Sequence, residues 1–341
     1  MFFREKRAFF LDGASYFDSE RFNFVHTRNI ADPDYGLKVT GKTDSHSFGV
    51  MLANDNNTSF VMPGSQGSDV ATLDKSSDVF IGKYKADISG HSNLGVLLTH
   101  RETEGYSNTL TSFDGSHSLN DTDTVTFNLA HSSSENTLEI VEDYEVDAEQ
   151  DDQALSIGYN HNSRDYRVWA SYSNVGRDFR ADLGFMSRVD YEQVVLGGQR
   201  TWYGDQDGLL TQWRVFGDWD KTYDQDGVML EEEFEIHGNL QGQKQFYTNF
   251  GIVHRNRYYD GQYYKETQPM MYAQITPISG IRLEMFTRLG KQIDFANSRL
   301  GDRVTVEPGI SWDVNQHLKL QYFYNYNSLD KLAFIDKNIS L

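Results

Sequence analysis

The chain has no cysteine, which excludes disulfides, thiolate metal sites and cysteine nucleophiles. Proline is scarce, at 5 of 341 residues. No stretch approaches eighteen consecutive apolar residues, so no transmembrane helix is encoded. Basic side chains are outnumbered, 31 against 50 acidic, for a net charge of −19; nucleic acid, which needs a basic footprint, is excluded as a partner. Such a charge suits an acidic rim holding divalent cations, or simply a solvated acidic surface. Sequence motifs of catalysis are missing too: there is no H-E-x-x-H, no G-x-S-x-G elbow and no phosphate loop ending in Lys-Ser/Thr. No catalytic residue, cofactor or metal ligand is assigned. Residues 222–233 place Asp224, Asp226, Gly227 and Glu233 at calcium-loop spacing. Position one is Thr222, however, and the flanks read as strands, so a hairpin turn is expected there.

What the chain does contain is alternation. In 281–287 Ile281, Leu283 and Met285 alternate with polar residues. In 304–314 Val304, Val306, Ile310, Trp312 and Val314 do so, and in 318–326 Leu318, Leu320, Tyr322, Tyr324 and Tyr326, with Phe323 the exception. Successive side chains point to opposite faces of a strand, so each stretch is a strand with one apolar and one polar face. Similar reading yields about 17 strands: 21–30, 35–43, 46–54, 77–88, 92–101, 107–118, 122–133, 153–162, 165–175, 190–202, 209–221, 228–241, 244–257, 264–276, 280–290, 302–314 and 317–327. Most run to 9–14 residues, the length that crosses a bilayer when tilted (roughly 9–11) rather than the roughly 5–6 of globular strands. Mean hydropathy is −0.61, which a barrel tolerates because only alternate residues face lipid. The fold class is therefore all-β: an antiparallel transmembrane β-barrel of roughly 16–18 strands, with a soluble β-sandwich, propeller or edge-paired β-array as the alternative. Residues 1–341 are read as one barrel domain, 1–20 leading in and 21–341 forming strands and loops. Asp-Gly pairs at 114–115, 207–208, 226–227 and 260–261 are expected hairpin turns. Short connections such as 163–165 and 315–316 are placed on the periplasmic side, and the longer 55–76 and 134–152 outside.

Three blocks carry a family resemblance. Glu5-Lys6-Arg7-Ala8-Phe9-Phe10-Leu11-Asp12-Gly13-Ala14 resembles EKRPFFLEGA, which opens the barrel region of the DUF5916 family of outer-membrane-type proteins. His26-Thr27-Arg28-Asn29-Ile30 and Leu37-Lys38-Val39-Thr40-Gly41-Lys42-Thr43 are similar to its next block, and Phe179 to Tyr191 to its "F…LGF…R.DY" block. Ala8 and Asn29 depart from the usual Pro and Arg. The resemblance implies a bacterial outer membrane barrel that follows a secreted carbohydrate-binding-like sandwich. Met1-Phe2-Phe3-Arg4 carries no secretory signal, and the chain stops at Ile339-Ser340-Leu341 without a terminal aromatic, so truncation at both ends is expected.

The polar phase of the strands supplies the lumen-lining candidates Arg282, Glu284, Arg288, Arg303, Glu307, Asp313 and Lys319, which either filter solutes or pair across a filled interior. Trp169, Trp202, Trp213, Trp219, Trp312, Tyr322 and Tyr324 are candidates for the aromatic girdle at headgroup level. The acidic run 142–152 reads as a solvated mobile loop, with calcium or bridged lipopolysaccharide as the functional alternative. Segment 5–10 reads as a stretch packed at the mouth or inside the lumen, with a plug or hinge as the alternative. His100, His131 and His254 are expected as girdle or lumen histidines, with a Ser–His hydrolytic pair, which no spacing singles out, as the alternative. The expected function is a passive or assisted pore for a small polar solute or oligosaccharide. The alternatives are a non-transporting anchor for a carbohydrate-binding domain and, more remotely, a barrel hydrolase. Expected partners are outer membrane lipid, lipopolysaccharide and a carbohydrate ligand; oligomeric state is left open.

Overall fold

A computed structural model describes residues 5–330 and 332–340. The first four residues, on which the missing signal is read, and Leu341 of the expected clipped end lie outside them. The described residues form nineteen strands: β1 (Pro33–Lys42), β2 (His46–Asp55), β3 (Thr58–Pro63), β4 (Ser68–Leu73), β5 (Ser77–Ser89), β6 (Ser92–Thr103), β7 (Tyr106–Ser118), β8 (Asp123–Glu135), β9 (Glu149–Asn162), β10 (Tyr166–Val175), β11 (Tyr191–Tyr203), β12 (Leu210–Tyr223), β13 (Met229–Gly242), β14 (Phe246–Tyr259), β15 (Gln262–Ile278), β16 (Ile281–Asp294), β17 (Arg299–Asn315), β18 (Leu318–Leu329) and β19 (Leu332–Ser340). Seventeen belong to one sheet, within the expected range, while β3 and β4 pair separately. The short helices are α1 (Ala8–Leu11) and α2 (Leu138–Tyr144). Among the described residues no helix is long and apolar enough to cross a membrane.

Contacts divide the chain into two units. Unit 1 comprises residues 1–161, 170–194 and 223–228; unit 2 comprises 162–169, 195–222 and 229–341.

In unit 1, β1, β2 and β5 to β9 pair in sequence order, all antiparallel. One face is apolar and exposed, with Phe48, Val50, Leu52, Val96, Leu98, Phe113, Leu129 and Ile157. The other is covered. Met51, Ala53, Val79, Ile81, Leu97, Leu110, Ala130 and Ala154 project into one core with Phe10, Phe17, Phe24 and Ile30 of the N-terminal segment and Phe179, Leu183, Met186 and Val189 of the segment between β10 and β11. Residues 21–30, expected as a strand, thus line the covered face with no strand assigned before Ile30. Their Phe22–Phe24 alternation mimics a strand, but the backbone closes a 3-10 turn at Thr27–Asn29.

The three motif blocks meet in this core. Arg7 donates to the carbonyls of Thr27 and Ile30, the His26 N–H to Leu183, and the Asn29 amide to Asp182 and Gly184. Buried charges on the covered face find partners there, as burial requires. Arg101 lies 3.5 Å from Asp55 with both side chains fully buried, and it donates to the carbonyls of Asn29 and Ser59. Lys83 pairs with Asp114. Gly95 lies between them: a Cβ there would sit 3.0 Å from Lys83 Nζ and 3.2 Å from Asp114 Oδ1.

Other departures from expectation have local causes. Asp114-Gly115 is no turn but lies within β7, where a Cβ on Gly115 would meet the Asn93 carbonyl at 2.7 Å. Asp260-Gly261 does form the expected two-residue turn, with φ of 48° and 78°, the doubly positive pattern of a type I′ hairpin. The 55–76 connection contains the β3–β4 hairpin, and the acidic run is no loop. Glu142 and Asp143 sit on α2 and Glu149, Asp151 and Asp152 on β9. Thr137 caps α2, and Ile140 packs with Phe60, Met62, Ala71, Leu73 and Tyr106.

In unit 2, β13 to β19 form an unbroken antiparallel meander. The three alternating stretches are β16, β17 and β18. Their register pairs Leu283 with Ile310 and Ile310 with Tyr322, so the apolar phases coincide on one exposed face.

Candidate functional site: the charged face of unit 2

Opposite that apolar face, unit 2 carries a sheet of charge. Register pairs Arg282 with Ser311, Glu284 with Gly309, Phe286 with Glu307 and Arg288 with Thr305. Asp313 pairs with Lys319. Strand alternation then puts Arg282, Glu284, Arg288, Arg303, Glu307, Asp313 and Lys319 on one face. Ion pairs and amides knit it together. Arg282 lies 3.0 Å from Glu284 and donates to Gln274 at 2.8 Å. Lys319 lies 3.6 Å from Asp313, and the Asn325 amide donates to Glu307 at 3.0 Å. Arg303 donates to Gln292 and, at 3.2 Å, to Thr305.

The same phase continues through β13, β14 and β15, whose charges are not among the lumen-lining candidates. Glu231, Glu233 and Glu235 of β13 pair with Arg257, Arg255 and Val253 of β14, and Arg255 pairs with Glu266 of β15. Arg257 lies 2.5 Å from Glu231, and Arg255 binds Glu233 and approaches Glu266 at 3.8 Å. The signal was present as Glu at i, i+2, i+4 opposite Arg at i, i+2, which alternation alone reads as one face. Among the described residues no three His, Asp or Glu side chains gather as a metal site.

Aromatic rings interrupt the charge. Tyr272 donates to Gln274 at 2.9 Å. Phe323, the exception to its strand's alternation, lies on the charged face, where a Cβ at Gly309 would meet both its ring and Glu284 at 2.8 Å. Water reaches part of this face, while Glu231, Glu233 and Glu266 are largely buried in their ion pairs. The side chains of Arg282, Asp313 and Lys319 are 48%, 58% and 55% exposed, against 1% for both Lys83 and Asp114 on the covered face of unit 1.

Of the girdle candidates, Trp202, Trp312 and Tyr322 stand exposed on the apolar face, and Trp213, Trp219 and Tyr324 share its phase along β12 and β18. Trp219 donates to Glu232 at 3.2 Å. Trp169 turns the other way, its indole over Gly197 and hydrogen-bonded to Asp218 on the polar face. His100 bonds Thr109, His131 approaches Asp151 at 3.4 Å and His254 bonds Thr267. A Ser–His contact does occur at Ser92–His117 (3.1 Å), but the Ser92 hydroxyl also accepts the Ser118 N–H, an end-of-strand tie. The 222–233 run closes as a hairpin turn, with Asp224 accepting the N–H groups of Asp226 and Val228.

No family model matches the chain, and no curated protein matches it. The DUF5916 resemblance thus has no support from a family model. Solved structures do match. Pseudomonas aeruginosa OpdL is similar over 89% of this chain and 89% of its own, at 12% identity and a TM-score of 0.50. Pseudomonas aeruginosa OccK7 (OpdD) is similar over the same shares, at 13% identity and a TM-score of 0.49. OpdL is an outer-membrane β-barrel porin. The fold is that of an outer-membrane β-barrel. In that fold each strand turns one phase of side chains outward and the other inward.

Proposed function

We propose that the protein is an outer membrane pore for small polar solutes, oligosaccharides among them, and that the charged face of unit 2 lines the passage. The observation that carries this reading is the contrast between the two inward faces. Unit 1's is covered by the N-terminal segment, and its Lys83–Asp114 and Arg101–Asp55 pairs are dry. In unit 2 the Arg282, Asp313 and Lys319 side chains are about half exposed to water. Rings of paired charge at close quarters select by sign and size, and Tyr272, Phe286 and Phe323 among them suit the flat faces of sugars. The porin fold of OpdL supports passage rather than catalysis, and no bond is broken in this mechanism. Kinship with DUF5916 rests on the three motif blocks, which serve here as packing for the covered face. Outer membrane lipid and lipopolysaccharide surround the apolar face in this reading.

One observation favours a non-conducting anchor instead: the filled face of unit 1. Liposomes carrying the purified protein decide between them when swelling is followed in sugars of increasing size. A pore admits mono- and disaccharides faster than empty liposomes do and excludes larger sugars progressively. Swelling indistinguishable from empty liposomes at every size supports the anchor.

A further inference from the structure

The apolar face of unit 2 is not evenly filled. Between β11, β12 and β13 it carries a groove of about 750 Å³ walled by Leu196, Trp202, Val215, Trp219, Phe234 and Ile236. Its floor is Gly198 and Gly217, which alternation places on the same face as Leu196 and Val215. The two glycines are there for different reasons. A Cβ at Gly217 would lie 2.1 Å from the Glu235 carbonyl oxygen, so close backbone approach demands glycine. At Gly198 the nearest atom to a Cβ is the Arg167 carbonyl oxygen, at 3.8 Å. Neither sterics nor a positive φ requires glycine at 198; what its missing side chain provides is the open slot.

One end of the groove carries a guanidinium. Arg200 lines it, 5.8 Å from the Trp202 ring and 5.9 Å from that of Tyr166. Asp165 lies 3.7 Å from Arg200, beyond hydrogen-bond reach, and the Arg200 side chain is 45% exposed, so its donors can meet an anion. At the other end Lys221 lies 3.5 Å from Glu232. Arg beside Trp and Tyr is the composition found at headgroup level, and guanidinium is the side chain best shaped to grip a phosphate.

We infer that this groove is a specific lipid site, holding an acyl chain of an anionic glycerophospholipid whose phosphate sits on Arg200. The inference rests on the apolar face meeting lipid and is independent of whether solute passes through the interior.

Native mass spectrometry of the full chain, purified in detergent and checked for folding by the shift between boiled and unboiled gel samples, tests it. The probes are phosphatidylglycerol and phosphatidylcholine with identical acyl chains. The wild type is expected to retain one phosphatidylglycerol in preference to phosphatidylcholine by about fivefold, the effect of roughly one surface arginine. Gly198→Leu fills the slot and loses the adduct. Arg200→Gln binds both lipids equally. Should Gly198→Leu fail the folding check, Val215→Trp closes the same groove from β12. Equal binding of the two lipids by the wild type overturns the inference. So does a phosphatidylglycerol adduct that survives both groove-filling variants, or a wild-type dimer, free of lipid, that those variants dissociate.

Discussion

Lys83 and Asp114 meet because Gly95 on the intervening strand has no side chain to separate them. A buried pair is costly to break singly, since one charge is left without a partner; the loss runs to about 3–5 kcal/mol. Lys83→Met is therefore expected to lower the urea midpoint sharply, and Lys83→Met with Asp114→Leu to recover most of it. A single variant as stable as the wild type would contradict the assignment. Glu5 makes a different, pH-dependent contribution. The Arg7 guanidinium, with the Arg7 N–H and Thr27 hydroxyl, holds its carboxyl down from 4.5 to about 2. A carboxylate with a lowered folded pKa stabilises when charged, so its contribution is complete above about 4.5 and disappears as the pH falls towards about 2. The stability difference between wild type and Glu5→Gln should shrink to nothing across that window; a difference unchanged at its acid end would show that Glu5 does not hold the segment. On the charged face, Phe323→Ser should slow disaccharide entry relative to ions of similar size, with equal loss of both counting against a sugar-facing ring.

At the level of strands and segments, the sheet was legible because alternation is a local property. β5 to β18 match their expected spans to within a few residues, and even β17, with Pro308 mid-strand, keeps its register because Val306 and Gly309 pair on either side. The charged face was legible for the same reason, though only its C-terminal half was picked out. What local pattern could not show was the partner of each face. Residues 21–30 alternate like a strand, yet Phe24 packs against Phe179, 155 positions away, with ring centroids 5.9 Å apart. The β3–β4 hairpin hid behind the Asn, Gly, Ser and Pro residues that flank it. Trp169 pointed inward because Gly197 leaves room for its ring, a fact of the neighbouring strand. Segment packing gives its own test. A Cβ at Gly49 would lie 2.8 Å from the Phe17 ring, so Gly49→Leu must displace the N-terminal segment, at an overpacking cost of about 1–3 kcal/mol. Proteolysis should then cut within residues 5–30 while the sheet stays resistant; unchanged protection would mean the segment is held without Phe17.

On the scale of the whole molecule, unit 1 covers one face of its sheet with its own chain, and unit 2 leaves Arg282, Asp313 and Lys319 of its charged face in contact with water. The fold explains how a chain with mean hydropathy of −0.61 can belong in a membrane, since only the outward phase of each strand need be apolar throughout. The charged face of unit 2 is proposed to meet the solute. The direct measurement is single-channel current across a planar bilayer under a salt gradient, for wild type and for Arg288→Gln with Arg303→Gln. The account predicts discrete conductance steps for both, with the reversal potential of the double variant displaced towards cation selectivity because two positive charges have left the passage. Folded protein that gives no steps, or steps whose reversal potential ignores the loss of both arginines, would contradict it.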